Sequence, residues 1–520
     1  MDRVLILLFE YANKCTNFTI IYDCMGVIRK QTVSGSFFSY IGVILGFLNL
    51  AIISPLIFTT EQIGLPALII AISVIASQLG SLGFNNVAIR LFPHFRNYQN
   101  HHNGFLGLSI IIQSAGLFLV LFAMVFFIPH LIERNSDDIS ILGEYAYLII
   151  PIIIFQLFFV LFDSFCGVLL NASIGIFLKE FVVRVLNLII ILLFYFGLIS
   201  FRYYMYLYVL SYGVPAIVLM IYLIVKGEFI IKIDFSFVTR NLRKEIIDVS
   251  IYGIMAGLSG LAVSNIDTYF INDYLNLSSV GIYSIAFAFG TLILIPGRAM
   301  SKIAAPVIAE FWKEKNQGKI LEIYRKSSIN QFIGGIAIFM FIWINIDDII
   351  NFLPDKYSGG KMVVFFISLA NLMTVLSGVS SQVLNTSKSY RYHSYFMFIL
   401  IVMVIITNMI FIPLWGITGA SIATFFSTLV FILIRIVFLY IKFGMHPFEL
   451  AHGTSLMAGI FLYLAVSAIP FSFPLIINIF VRIALSGSIF LILIYFLRCS
   501  ADINNEINNI VRRFLRKGRN

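Results

Sequence analysis

Charge is what this chain has least of. Only 12% of its 520 residues are Asp, Glu, Lys or Arg, while 60% are hydrophobic and the mean hydropathy is +0.98. That excludes a soluble globular domain, which needs far more polar side chains to face water. Cysteine is scarce too. Cys15, Cys24, Cys166 and Cys499 all lie outside the segments read as outward loops, so no disulfide framework is expected. The seven histidines sit near helix ends or in loops, and neither H-E-x-x-H nor C-x-x-C occurs. No metal cage, no mid-membrane histidine relay and no cofactor are expected. There is no G-x-x-x-x-G-K-[ST] phosphate loop, since Gly359-Gly360-Lys361 lacks the earlier glycine. Transport without an ATPase must then run on an ion gradient or on the substrate's own gradient. The two-residue alternation of a membrane β-barrel is also missing.

What fills the chain instead is apolar runs near the length that crosses a bilayer. They predict an all-α polytopic membrane protein with about fourteen transmembrane helices. Basic residues gather on alternate connections, so the positive-inside rule accounts for the net charge of +10 without a nucleic-acid partner. Both termini are then expected in the cytoplasm, with short outward loops near 129–143 and 345–361. Residues 1–24 carry neither a spanning run nor a signal-peptide pattern, and translation starting at Met25 is an open alternative to Met1. The tail 498–520 reads as a basic amphipathic helix on anionic headgroups.

An internal repeat organises the layout. Gly35, Ser39, Gly42, Gly46 and Asn49 recur as Gly253, Gly257, Gly260, Ser264 and Asp267, each shifted by 218 residues. The spacing puts each set on one helix face, suited to close helix packing or to lining a cavity. The boundaries that follow are an N-terminal extension 1–24, bundles at 25–232 and 233–443, two more helices at 444–497 and the tail 498–520. Residues 233–249 and 307–328 are amphipathic cytoplasmic connectors.

Ionisable residues inside spanning helices are costly and mark functional candidates. Asp163 and Arg184 flank one turn at matched distance and are expected to form a structural charge pair. Asp267 and Arg298 lie at opposite ends of neighbouring helices and should not meet. Arg435 and Arg482 have no acid at matching depth, and Arg482 could snorkel to the outer interface. The surplus of arginine over acid suits an anionic ligand such as a pyrophosphate. Cavity candidates for substrate binding are therefore Arg298, Arg435, Asp267 and Asn49. The tyrosines Tyr203, Tyr204, Tyr206 and Tyr208 read as an interface belt, with sugar stacking a weaker option.

Several segments resemble a known family. They are MGVIRKQTVSGSFFSYIGVILGF from Met25, NNVAIRLFPHF at 85–95, PVIAEFW at 306–312, RKSSINQF at 325–332 and NMIFIPLWGITGASIAT at 408–424. In order and spacing these resemble the polysaccharide and O-antigen flippases of the multidrug/oligosaccharidyl-lipid/polysaccharide exporter superfamily, over about residues 25–445. The resemblance implies two six-helix bundles related by a pseudo-two-fold along the membrane normal, plus two C-terminal helices. It implies no enzyme but an alternating-access flippase for polyprenyl-pyrophosphate-linked oligosaccharide in the bacterial inner membrane, serving O-antigen or capsule assembly. H⁺ or Na⁺ is an open option as coupling ion, and membrane lipids are the other partners. The alternatives are a cation-coupled multidrug exporter, disfavoured by the excess of base, or a membrane polymerase or O-acyltransferase.

Overall fold

The computed structural model describes residues 37–134, 139–169, 172–232, 237–469 and 474–517. The extension 1–24, with Met25, Cys15, Cys24 and Gly35, lies outside them. All regular structure among the described residues is helical. Among the described residues, eleven helices are long and apolar enough to cross a membrane, by length and composition.

The helices run α1 (Phe37–Ile57), α2 (Thr60–Phe95), α3 (His101–Arg134), α4 (Ile141–Val168), α5 (172–195) and α6 (Phe201–Val225). The second half opens with α7 (Arg240–Tyr274) and α8 (277–313), then α9 (Gln317–Ile344) and α10 (Asp355–Leu376). Next comes Tyr390–Phe443, broken at Gly416 (φ 59°, ψ −138°) into α11 (390–415) and α12 (417–443). The last are α13 (Leu450–Ser467), α14 (Leu475–Phe496) and the tail helix α15 (Ala501–Lys517). Only glycine takes the Gly416 conformation without strain. The two arms fold back on each other there. Thr407 and Ser427 hydroxyls are 3.0 Å apart, and the Tyr392 and Phe438 rings stack at 4.8 Å. Charge explains two further differences between the eleven apolar spans and the expected fourteen. Lys179, Glu180 and Arg184 interrupt α5, and the amphipathic connector expected before the second half merges into α7.

A two-fold relation is written into the contact between α2 and α8. A Cβ on Gly64 would come within 2.1 Å of the Leu277 carbonyl oxygen, and one on Gly281 within 2.0 Å of the Thr60 carbonyl oxygen. Leu277 and Gly281 follow Thr60 and Gly64 by the same 217 residues, so each half makes on the other the contact it receives. The Ser278 hydroxyl donates to the Thr60 hydroxyl at 2.7 Å beside this crossing.

The small-residue stripes pack helices together. Gly42 lies on the Glu180 carbonyl of α5, and Gly46 lies beneath the Arg184 guanidinium. In the second copy, Gly253 and Gly257 take Asn86 and Gln78 of α2 instead. One copy therefore ties its own bundle and the other ties the two halves, although the spacing is identical.

Two charge expectations need correction. Arg482 does not snorkel: it pairs with Asp348 at 3.0 Å, and Asn478 donates to the same carboxylate oxygen at 3.0 Å. The short helix Ile346–Phe352, read in the sequence as an outward loop, turns Asp348 onto α14. Asp163 and Arg184 are not brought together either. Helix α5 starts at 172, so the hairpin places Gly175 against the Asp163 carboxylate. Arg184 is nine residues further along, about 13 Å at 1.5 Å per residue. The tyrosines divide by face. Tyr203 is exposed, Tyr204 is buried against Phe58 and Tyr208, and Tyr206 bonds the Tyr147 hydroxyl at 2.7 Å. The tail helix docks beneath α9, where Asn330 donates to Asp502 at 2.9 Å.

Candidate functional site

Polar groups gather at three places between these helices. The first lies between α1 and α5. Each helix carries a π-helical turn here, Leu48–Ile53 and Phe177–Val182, a rare irregularity that often marks functional positions. Asn49, 6% exposed, donates its amide to the Arg184 carbonyl at 2.9 Å, and its own Oδ1 has no partner. The Ser54 hydroxyl caps the Asn49 carbonyl at 2.7 Å. These π turns carry no sequence signature and were not foreseen.

The second place is the repeat-equivalent position, Asp267. It is 0% exposed, enclosed by α7, α8, α11 and α12. Tyr283 donates to Oδ2 at 2.6 Å, Asn408 donates to Oδ1 at 2.7 Å, and Thr424 donates to Oδ2. No cation pairs with it among the described residues. The Asn408 Oδ1 has no partner. The carboxylate is thus solvated by three neutral donors. It does not line an open cavity, as the sequence suggested, but sits inside the second half. Asn408 and Thr424 could have been suspected, being polar residues on the two arms of one hairpin.

The third place is α8 beyond its break. The helix tightens at Leu292–Leu294, and Pro296, which packs on Gly334, sustains the interruption. Arg298 follows two residues later, exposed, with no acidic partner among the described residues. It lies fifteen residues, about 22 Å along the helix, from Tyr283, which holds Asp267, so it does not reach that carboxylate. Arg435 differs. It is 4% exposed, and its guanidinium donates to Ser381 at 2.7 Å and to Ser377 at 2.8 Å. The structure therefore separates the two arginines expected to act together. One is free to meet a ligand, and the other is sealed among the helices.

Contacts between the two halves frame these places. At the end that the charge asymmetry assigns to the outside, Arg134 pairs with Asp273 at 2.8 Å and Lys356 donates to the Phe58 carbonyl at 3.0 Å. The α2–α8 crossing lies at the same end. Towards the other end, Asn86 donates to the Gly253 carbonyl at 3.3 Å, and Arg90 stacks on Tyr390 at 4.0 Å. Two helical halves meeting at contacts of this kind, built from helices long and apolar enough to cross a bilayer, define a polytopic helical membrane protein.

Comparison with known proteins gives the family. Residues 28–312 match the polysaccharide biosynthesis protein family, and the chain belongs to it. Over 208 residues it is 25% identical to a protein of Haloferax volcanii described as probable flippase AglR. That match takes in 39% of this chain and 43% of the relative, so the chain spans less than half the length of that curated relative. Among solved structures, the lipid II flippase MurJ in an inward closed conformation superposes with a TM-score of 0.71 at 15% identity, covering 90% of this chain and 99% of that one. An inward-facing multidrug-resistance transporter of the MATE family gives 0.57 at 14% identity, covering 77% and 94%. The chain shares the fold of these flippase and transporter structures, and these relatives are named as flippases or transporters.

Proposed function

We propose that this protein flips polyprenyl-pyrophosphate-linked oligosaccharide from the cytoplasmic to the outer leaflet of the cytoplasmic membrane, for a surface polysaccharide such as O-antigen or capsule. The observation that carries this reading is Arg298, an exposed guanidinium just past the break in α8 with no acidic partner among the described residues. A guanidinium left without a carboxylate is suited to bidentate binding of phosphate oxygens. The polysaccharide biosynthesis family and the likeness to a probable flippase support a flippase in saccharide assembly. The proposed cycle is alternating access, with both termini in the cytoplasm and the α2–α8 crossing as its outer closure. Deleting the gene should abolish the surface polysaccharide and build up the lipid-linked intermediate facing the cytoplasm. Normal polysaccharide in the deletion strain contradicts the proposal.

Asp267 is proposed as the seat of a coupling ion. A buried carboxylate among neutral donors, beside an unpartnered amide oxygen, offers H⁺ or Na⁺ a place that no fixed cation occupies. Asp267→Asn removes the charge and keeps the volume. Transport in vesicles should lose its dependence on an imposed Na⁺ or pH gradient and fall about tenfold, as a lost coupling free energy near 1.4 kcal/mol implies. Unchanged gradient dependence in that variant removes Asp267 from the coupling role.

A further inference from the structure

Arg435 is 4% exposed, and its surroundings are unusual for a buried charge. No carboxylate pairs with it among the described residues. Two of its nitrogens reach the Ser381 and Ser377 hydroxyls, its Cζ lies 4.8 Å from the centre of the Phe431 ring, and its Nε finds no acceptor. The polar groups that bear on it, hydroxyls and one imidazole, are neutral and can donate. Tyr324, 0% exposed, has its hydroxyl against that of Ser380, also 0% exposed, and neither hydroxyl finds a partner beyond the other among the described residues. His393 is buried within reach of the Arg435 field, and its Nδ1 is unpartnered too. A buried guanidinium without a counter-charge is costly. The Arg435 Nε and one proton of the Tyr324–Ser380 pair have no acceptor among the described residues, and together they form the complement of an anion.

We propose that Arg435, Tyr324 and Ser380 form a binding site for a small monovalent inorganic anion, of which chloride is the type. The sealing of Arg435 by two serines favours a monatomic ion over a diphosphate group. The site lies where α9, α11 and α12 end towards the basic connections, with Arg435 eight residues from the end of α12 at Phe443. The anion closes the charge balance of the second half and holds the segment after α10 against α12. That segment turns at Gly378, which has φ +53°. This proposal does not rest on the flippase reading, because it concerns stability rather than cargo.

The test is thermal unfolding of the purified full chain in detergent, with sodium chloride exchanged for sodium gluconate at constant ionic strength. The wild-type midpoint should rise by several degrees and saturate with chloride, as a ligand of the native state requires. Arg435→Gln should lose the chloride dependence. Tyr324→Phe and Ser380→Ala, which keep the charge and the packing, should fold and shift half-saturation to higher chloride. Arg298→Gln should leave the chloride response intact. Equal midpoints in chloride and gluconate overturn the proposal. So does a chloride response that survives Arg435→Gln, or a response to inorganic phosphate or anionic lipid with none to chloride.

Discussion

Gly64→Val should hold the protein open at its outer end. The carbonyl of Leu277 lies 2.1 Å from where a Cβ on residue 64 would sit, so even alanine at this position pushes on backbone. Backbone cannot swing away as a flexible side chain can, and α2 and α8 must separate. Overpacking of this kind costs about 1–3 kcal/mol, which lowers the closed population roughly 5- to 150-fold. The internal two-fold gives the prediction a built-in control, because Gly281→Val makes the reciprocal clash on Thr60 and should act alike. Spin labels at Gln62 and Ser279 should show the closed distance in wild type and a longer one in either variant. Transport should fall in parallel while membrane levels of the protein hold. An unchanged distance distribution in a well-expressed Gly64→Val would mean that this crossing is not a moving closure.

Arg298→Ala carries the second large effect. Arg298 has no acid to neutralise among the described residues, so its removal leaves no stranded partner and folding should be spared. If it holds the pyrophosphate, lost charge-assisted hydrogen bonds of roughly 1.5–3 kcal/mol lower flipping about 10- to 150-fold. Lysine keeps the charge and loses the fork, so Arg298→Lys should retain partial function. The readout is surface polysaccharide together with the cytoplasm-facing lipid-linked intermediate in a strain carrying only the variant. Loss of one with build-up of the other is expected. Arg435→Ala should differ, lowering stability before it touches substrate, because Arg435 is sealed by Ser377 and Ser381.

The repeat was legible because it is written in residue spacing. Gly42 and Gly46 share a face with Asn49 wherever the helix goes, and Asp267 inherits that position in the second half. The hairpin at Gly416 was legible because an apolar run too long for one span carried a glycine near its middle. Hairpin register was not. A helix start displaced by a few residues moves every later side chain by 1.5 Å per residue, enough to separate Arg184 from Asp163. Partners recruited from short connecting helices were also hidden, as Asp348 was from Arg482. The facing of Arg435 depended on a turn after α10 that brings Ser377 and Ser381 to one side of it, and no periodicity encodes such a turn. The π turns at Asn49 and Lys179 leave the sequence looking like ordinary helix.

The central claim is movement of a lipid-linked saccharide, and reconstitution tests it most directly. The purified protein in liposomes would be given a polyprenyl-pyrophosphate oligosaccharide with a fluorescent sugar, quenched from outside by a membrane-impermeant reductant. Without flipping, about half the signal is protected, since the inner leaflet holds about half the lipid. The account predicts that wild-type protein exposes the protected pool and that Arg298→Ala does not. A protected pool that stays constant with active wild-type protein, under imposed Na⁺ and pH gradients alike, would contradict it.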